Sequence, residues 1–218
     1  RNDTHQAMLT RKHRTFASVC RDAGYETVYF GKGHLGAPIE DLGFERGYVN
    51  DDITIDDTEA DKLGIGHVPP LLRREYTATD DAVEFLRNYE PHAPNNGGKP
   101  LLFFFSTNLP HPPFFTEKKY AELFPPEEMV LPESFSEENF ETKPGYQKDH
   151  VYDGKHGALD EAEMRREIAD YYSMIAMTDE QIGRIISALD RLGMYDDTLI
   201  VFIAYHGEPQ PSNVFPGR

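Results

Sequence analysis

Four side chains with acid–base or anion-binding chemistry follow apolar runs. In "TVYFGKGH" (27–34) an apolar run breaks into Gly31 and Gly33 and presents Lys32 and His34. In "LLFFFSTNLPH" (101–111) the run leads to Asn108 and His111, and in "TLIVFIAYHGE" (198–208) to Tyr205, His206 and Glu208. Lysine is a compact point charge suited to a tetrahedral oxyanion. Histidine exchanges protons near neutral pH, so His34 and His111 fit general acid–base roles, while His206 could bind a metal or donate a hydrogen bond. One histidine after a strand is commonly a satisfied turn residue. Three strands ending this way point to a shared site, because loops converge at the carboxyl ends of strands in α/β sheets.

The elements that must carry these residues are legible as a pattern. The segments 27–31, 101–106 and 198–204 are apolar throughout instead of alternating, which predicts strands buried on both faces. Helical spacing lies between them. "RTFASVCRDAG" puts Phe16, Val19, Cys20 and Ala23 on one stripe and stops at Gly24. "TATDDAVEFLRNYE" predicts a helix capped by Thr77 with Asp80 three residues on, burying Val83, Leu86 and Tyr89. The longest pattern, 160–192, opens on Asp160 and Glu163 as a capping box and closes at Gly193. It repeats Ile168, Tyr171, Tyr172, Ile175, Ile182, Ile185, Ile186, Leu189 and Leu192 at helical intervals. Alternating helices and strands predict an α/β sandwich with a mostly parallel sheet and helices on both faces. The stretch 112–158 is long for a plain connector and is expected to shape the substrate side. The prolines of "LPHPP" restrict the backbone that carries His111.

Composition narrows the function. The formal net charge of the 218 residues is -16, which argues against a nucleic-acid-binding surface. The acidic stretches "DDITIDDTEAD" and "EEMVLPESFSEENFE" read as solvated loops; the first lacks the glycine of a calcium loop. Apolar runs such as "PLLFFFS" are too short to span a membrane. Cys20 is the one cysteine, so no disulfide forms within the chain.

At the same residues the chain resembles the sulfatases, the sulfuric ester hydrolases of the alkaline phosphatase-like superfamily. "GYETVYFGKGHLG" is similar to the family's G-Y-x-T-x-x-x-G-K-x-H signature. "STNLPHPPF" resembles its strand-end histidine loop, and "DEQIGRIISALDRLGMYDDTLIVFIAYHGE" the helix and strand that lead to its metal-binding turn. The likeness runs from Asn2 to about Glu208, leaving a divergent tail at 209–218. It implies an alkaline phosphatase-like sandwich, incomplete at both ends, and an internal piece of a catalytic domain that cleaves sulfate esters of small molecules or carbohydrates. By this resemblance Lys32 and His34 hold the sulfate and a hydrated formylglycine nucleophile, His111 lies near the leaving-group oxygen, and His206 is a calcium ligand.

The chain departs from the family pattern at four points. Cys20 is followed by "RDAG" and lacks the Pro or Ala and the Arg of the nucleophile motif, so the formylglycine is expected outside this chain. The paired metal-binding aspartates and a later sulfate-gripping lysine are expected outside it too. Tyr205 stands where an aspartate is expected, and a neutral phenol is a poor calcium ligand. Gly33 stands where many relatives have tryptophan, which would widen the pocket or loosen the loop. A phosphomonoester or phosphodiester hydrolase of the same fold, and a non-catalytic member that binds sulfated ligands, are the alternatives.

Overall fold

A computed structural model of the chain describes residues 9–33, 36–50, 68–89, 98–114, 116–132 and 160–204, together with Asp56, Thr58 and Lys62. The chain divides into two compact units, residues 1–108 with 181–197, and residues 109–180 with 198–218.

The first unit is built on a parallel sheet of β1 (Glu26–Gly31), β2 (Arg46–Val49) and β3 (Leu101–Ser106), in the order β2-β1-β3. Val28 lies opposite Arg46 on one side and Phe103 on the other. Alternation along the central strand β1 sends Val28 and Phe30 to one face. There they join Ala82, Val83 and Leu86 of α2 (Pro70–Arg87) and Ile185, Ala188 and Leu189 of α4 (Glu161–Arg191). Tyr29 goes to the other face, against Ala17 of α1 (Phe16–Asp22) and Ile39, Leu42 and Phe44. Both faces of β1 are covered, which is why its sequence is apolar without alternation. Leu86 is 0% exposed at the centre of the first cluster. Leu86→Ala is expected to lower stability by about 2–5 kcal/mol, read as a shifted urea midpoint with unchanged slope.

The first two helices differ from their sequence expectation. In α1 the expected stripe is not the buried one: Phe16 and Val19 are 54% and 40% exposed, Ala23 is exposed, Cys20 is half-buried, and Ala17 is the buried residue. The reason is close approach. A Cβ at Gly43 would meet the Ser18 nitrogen at 2.4 Å, so the helix backbone lies against the 39–44 turn and only small residues fit between them. Phe16 is displaced to the flank, with its ring 6.0 Å from Phe44 and 5.5 Å from Phe104. The cap is Thr15, which exchanges backbone-to-side-chain hydrogen bonds with Ser18 at 3.0 Å in both directions.

Helix α2 begins at Pro70, well before the expected Thr77 cap. Proline suits the first helical position because it lacks the N–H that would be orphaned there. Thr77 is interior, and its hydroxyl donates to the Arg73 carbonyl at 3.1 Å. Val83, Leu86 and Tyr89 are buried as expected.

Helix α4 matches its sequence at both ends, but Tyr172, Ile175 and Leu192 of the expected stripe are exposed, while Met174 and Met177 are buried instead. The Asp160 N–H donates to Glu163 Oε2 at 3.0 Å, and the Glu163 N–H to Asp160 Oδ1 at 2.8 Å. It ends ahead of Gly193, whose φ of +64° lets Met194 N–H turn back to the Leu189 carbonyl at 2.9 Å.

In the second unit, the region expected as loop from 112 begins with ordered turns: α3 (Lys118–Ala121) and a 3-10 turn at Pro126–Glu128. Met129 packs on Met164, Ile168 and Ala169. Residues 133–159 lie outside the described residues.

The third expected strand is not formed. Residues 198–204 carry no strand pairing, and Leu199 to Ile203 are 43% to 88% exposed. A strand needs a ladder partner for its N–H and C=O groups, and neither edge of the described sheet takes this segment.

Candidate functional site

The three strands are parallel, so their carboxyl ends share one edge of the sheet. The Gly31 carbonyl accepts from the Asn50 N–H at 2.9 Å, just past β2, and the Lys32 N–H donates to the Ser106 carbonyl at 3.0 Å at the end of β3. Lys32, Asn50, Thr107 and Asn108 therefore emerge side by side. The Tyr29 hydroxyl donates to the Lys32 carbonyl, so both backbone polar groups of the lysine are held. Its half-buried side chain leaves from a fixed point.

The glycines of the signature have a steric cause. At Gly31 φ is +108° and a Cβ would sit 1.8 Å from the Ser106 carbonyl oxygen. At Gly33 a Cβ would sit 2.7 Å from both methyls of Val49. Gly33 thus lets the turn lie against β2, which differs from the wider pocket or looser loop read from the sequence.

Sequence reading missed Glu75. Leu72, Glu75, Thr79, Ala82 and Leu86 recur at helical spacing and are all buried. A carboxylate on an otherwise apolar or small stripe was the available signal, hidden because the expected helix began after it. Glu75 Oε2 accepts from Thr107 Oγ1 at 2.9 Å and from the Asn108 N–H at 3.2 Å. Oε1 lies 3.6 Å from Arg74 Nε. Nearby, Asn50 Nδ2 donates to the Arg74 carbonyl at 3.2 Å, while the buried Asn50 Oδ1 takes no hydrogen bond among the described residues.

Burial pushes the Glu75 carboxyl above its ordinary value of 4.5, while Thr107, the Asn108 N–H, Arg74 and the Lys32 charge pull it back. A carboxylate raised in the folded state costs stability as pH climbs from the unfolded value through the folded one. Glu75→Gln keeps an acceptor for Thr107 and Asn108 but no titration. The variant is expected to gain stability relative to the parent between pH 4.5 and 8, measured by urea midpoints at both pH values.

His111 is exposed, in the second unit. Its Nδ1 lies 2.7 Å from the Pro112 carbonyl oxygen, which can only accept, so Nδ1 carries the proton and Nε2 is the nitrogen for proton exchange. The Leu109–Pro110 and Pro112–Pro113 bonds are cis. His34, Tyr205, His206 and Glu208 lie outside the described residues. The described residues contain no group of three or more His, Cys, Asp or Glu that could hold a metal ion, and His206, the expected metal ligand, is not among them. Nor do they contain a helix long and apolar enough to cross a membrane.

A parallel sheet covered on both faces, with polar groups gathered at its carboxyl edge, is the architecture of the alkaline phosphatase-like fold. The phosphonate monoester hydrolase of Silicibacter pomeroyi superposes with a TM-score of 0.59 at 20% identity, over 88% of this chain and 47% of that one. The family model described as Sulfatase matches residues 2–216, and the chain belongs to the sulfatase family. It is 30% identical over 180 residues to the multifunctional alkaline phosphatase superfamily protein PehA of Trinickia caryophylli, covering 76% of this chain and 34% of that protein. It is 28% identical over 218 residues to the choline-sulfatase of Rhizobium meliloti (strain 1021), covering 89% and 42%. The chain thus spans less than half the length of these relatives.

Proposed function

We propose that this chain is part of an enzyme that hydrolyses sulfate esters of small molecules or carbohydrates, with Lys32 holding the sulfate oxygens. The observation that carries this reading is the pinned turn at the carboxyl end of β1, where a lysine is held by both its N–H and its carbonyl. A cation held in place beforehand stabilises negative charge that grows on the sulfate oxygens as the S–O bond breaks, without reorganising during the reaction. His34 is assigned beside it, and His111 is assigned as the general acid, its ring protonated at Nε2 as well as Nδ1 before the Nε2 proton passes to the departing alkoxide oxygen. Membership of the sulfatase family and similarity to a choline-sulfatase support the assignment.

No attacking atom is assigned within the chain, because Cys20 sits half-buried on α1 and is followed by Arg21, Asp22, Ala23 and Gly24. Sulfatases use a metal ion and a formylglycine. Calcium at His206 rests on the resemblance alone, and no step is routed through it.

A phosphonate or phosphate ester hydrolase is the second reading, favoured by the similarity to PehA and by the shared fold with a phosphonate monoester hydrolase. The full-length gene product, assayed with an aryl sulfate and the matching aryl phosphate with and without calcium, separates the two. Preferred turnover of the sulfate supports the proposal. Preferred turnover of the phosphate overturns it, and sulfate binding without turnover of either ester marks a non-catalytic member.

A further inference from the structure

Glu75 has no part in the hydrolysis just described, yet it is 2% exposed and closely tied to the same edge of the sheet. It clasps the end of β3 through Thr107 and Asn108, while the Lys32 N–H clasps it one residue earlier through Ser106. The Lys32 charge favours the ionised carboxylate, the weakest of the four influences that oppose burial. The groups that face Glu75 are the Thr107 hydroxyl, the Asn108 N–H, the Arg74 guanidinium and the Lys32 ammonium. All are donors or cations, so each favours the ionised form against the burial that raises the carboxyl.

We propose that Glu75 is a positioning residue that sets the charge of the anion site: its carboxylate offsets the Lys32 ammonium from behind, so the site takes a singly charged tetrahedral group in preference to a doubly charged one. This rests on the reading of Lys32 as the sulfate-holding group and deepens it to a substrate class. A sulfate ester, a phosphonate monoester and a phosphodiester carry one negative charge at neutral pH. A phosphate monoester carries nearly two, its second proton leaving near pH 6. A fixed negative charge near the site repels the second kind about twice as strongly as the first. At an effective dielectric between protein and water, that amounts to about fivefold in affinity per unit of ligand charge.

Calorimetry on the full-length gene product at pH 7.5 tests this with methanesulfonate, a monoanion, and inorganic sulfate, a dianion. Neither is hydrolysed or titrates near that pH. Glu75→Gln is expected to tighten sulfate about fivefold more than methanesulfonate. Thr107→Ala removes a hydrogen bond to the carboxylate without changing charge, and is expected to leave the ratio of the two affinities as in the parent. Arg74→Gln removes a positive charge and is expected to move the ratio the opposite way. It also decides the matter if Glu75→Gln does not fold. Equal effects of Glu75→Gln on both anions, or an unmoved ratio in Arg74→Gln, would overturn the inference and leave Glu75 as an anchor for the end of β3. If Lys32→Ala weakens neither anion, the sulfate-holding reading falls and this inference falls with it.

Discussion

Gly31→Ala is expected to be strongly destabilising, lowering the melting temperature by about 6–20 °C. The added Cβ would stand 1.8 Å from the Ser106 carbonyl oxygen, a backbone atom that cannot swing aside, at a φ of +108° where side chains are strained. Relieving that contact means separating β1 from β3 at the Lys32–Ser106 bond, so strain and a lost ladder bond add to about 3–5 kcal/mol. In a chain of this length each kcal/mol lowers the melting temperature by about 2–4 °C. Gly193 supplies the control: its φ is +64°, but a Cβ there meets nothing within 4 Å. Gly193→Ala should therefore cost only about 1–2 kcal/mol, the price of the left-handed conformation. Calorimetric melting of the two variants side by side checks the difference. Equal losses would mean that the approach of the strands at Gly31 is looser than described.

Lys32→Ala should leave the fold almost untouched and remove the chemistry. The backbone of residue 32 holds the turn through its N–H and carbonyl, and alanine retains both. The lost ammonium is the preset charge for the sulfate oxygens. Removing one such group costs at least about 100-fold in turnover. The expected result in the full-length gene product is a kcat/KM for an aryl sulfate reduced at least that far, with a melting temperature within a few degrees of the parent. Lys32→Arg restores charge in a planar, longer group and should recover only part of the loss. A variant that lost stability along with activity would show that Lys32 serves the fold instead.

How much of this was legible in the sequence differs from element to element. Helix α4 was readable to its ends because its signals are local: Asp160 and Glu163 cap each other, and Gly193 takes the conformation that stops it. The strands β1 and β3 were readable because packing on both faces leaves uninterrupted apolar runs, although β3 is half-buried along its length and β1 is the buried one. Ala17 was not, since which side of a short helix is buried depends on the partner surface, here the turn at Gly43. The third apolar run failed as a strand for the same kind of reason. Apolar character favours burial, but a strand also needs a neighbour, and composition does not supply one.

The candidate site was legible in its charge and not in its balance. Lys32 stood out because a cation between two glycines has no turn-forming purpose. Glu75 did not, because it lies 43 positions along the chain on a helix whose start was placed too late, and only tertiary folding brings it to the end of β3. Short motifs report the groups that face a ligand; the groups behind them come from elsewhere in the chain.

The most direct test of the central claim is a crystal structure of the full-length gene product with inorganic sulfate bound. The account predicts sulfate oxygens at hydrogen-bond distance, about 3 Å, from the Lys32 ammonium, with His34, His111 and His206 turned toward the same ion. Sulfate bound elsewhere, with the Lys32 ammonium turned away from it, would contradict it.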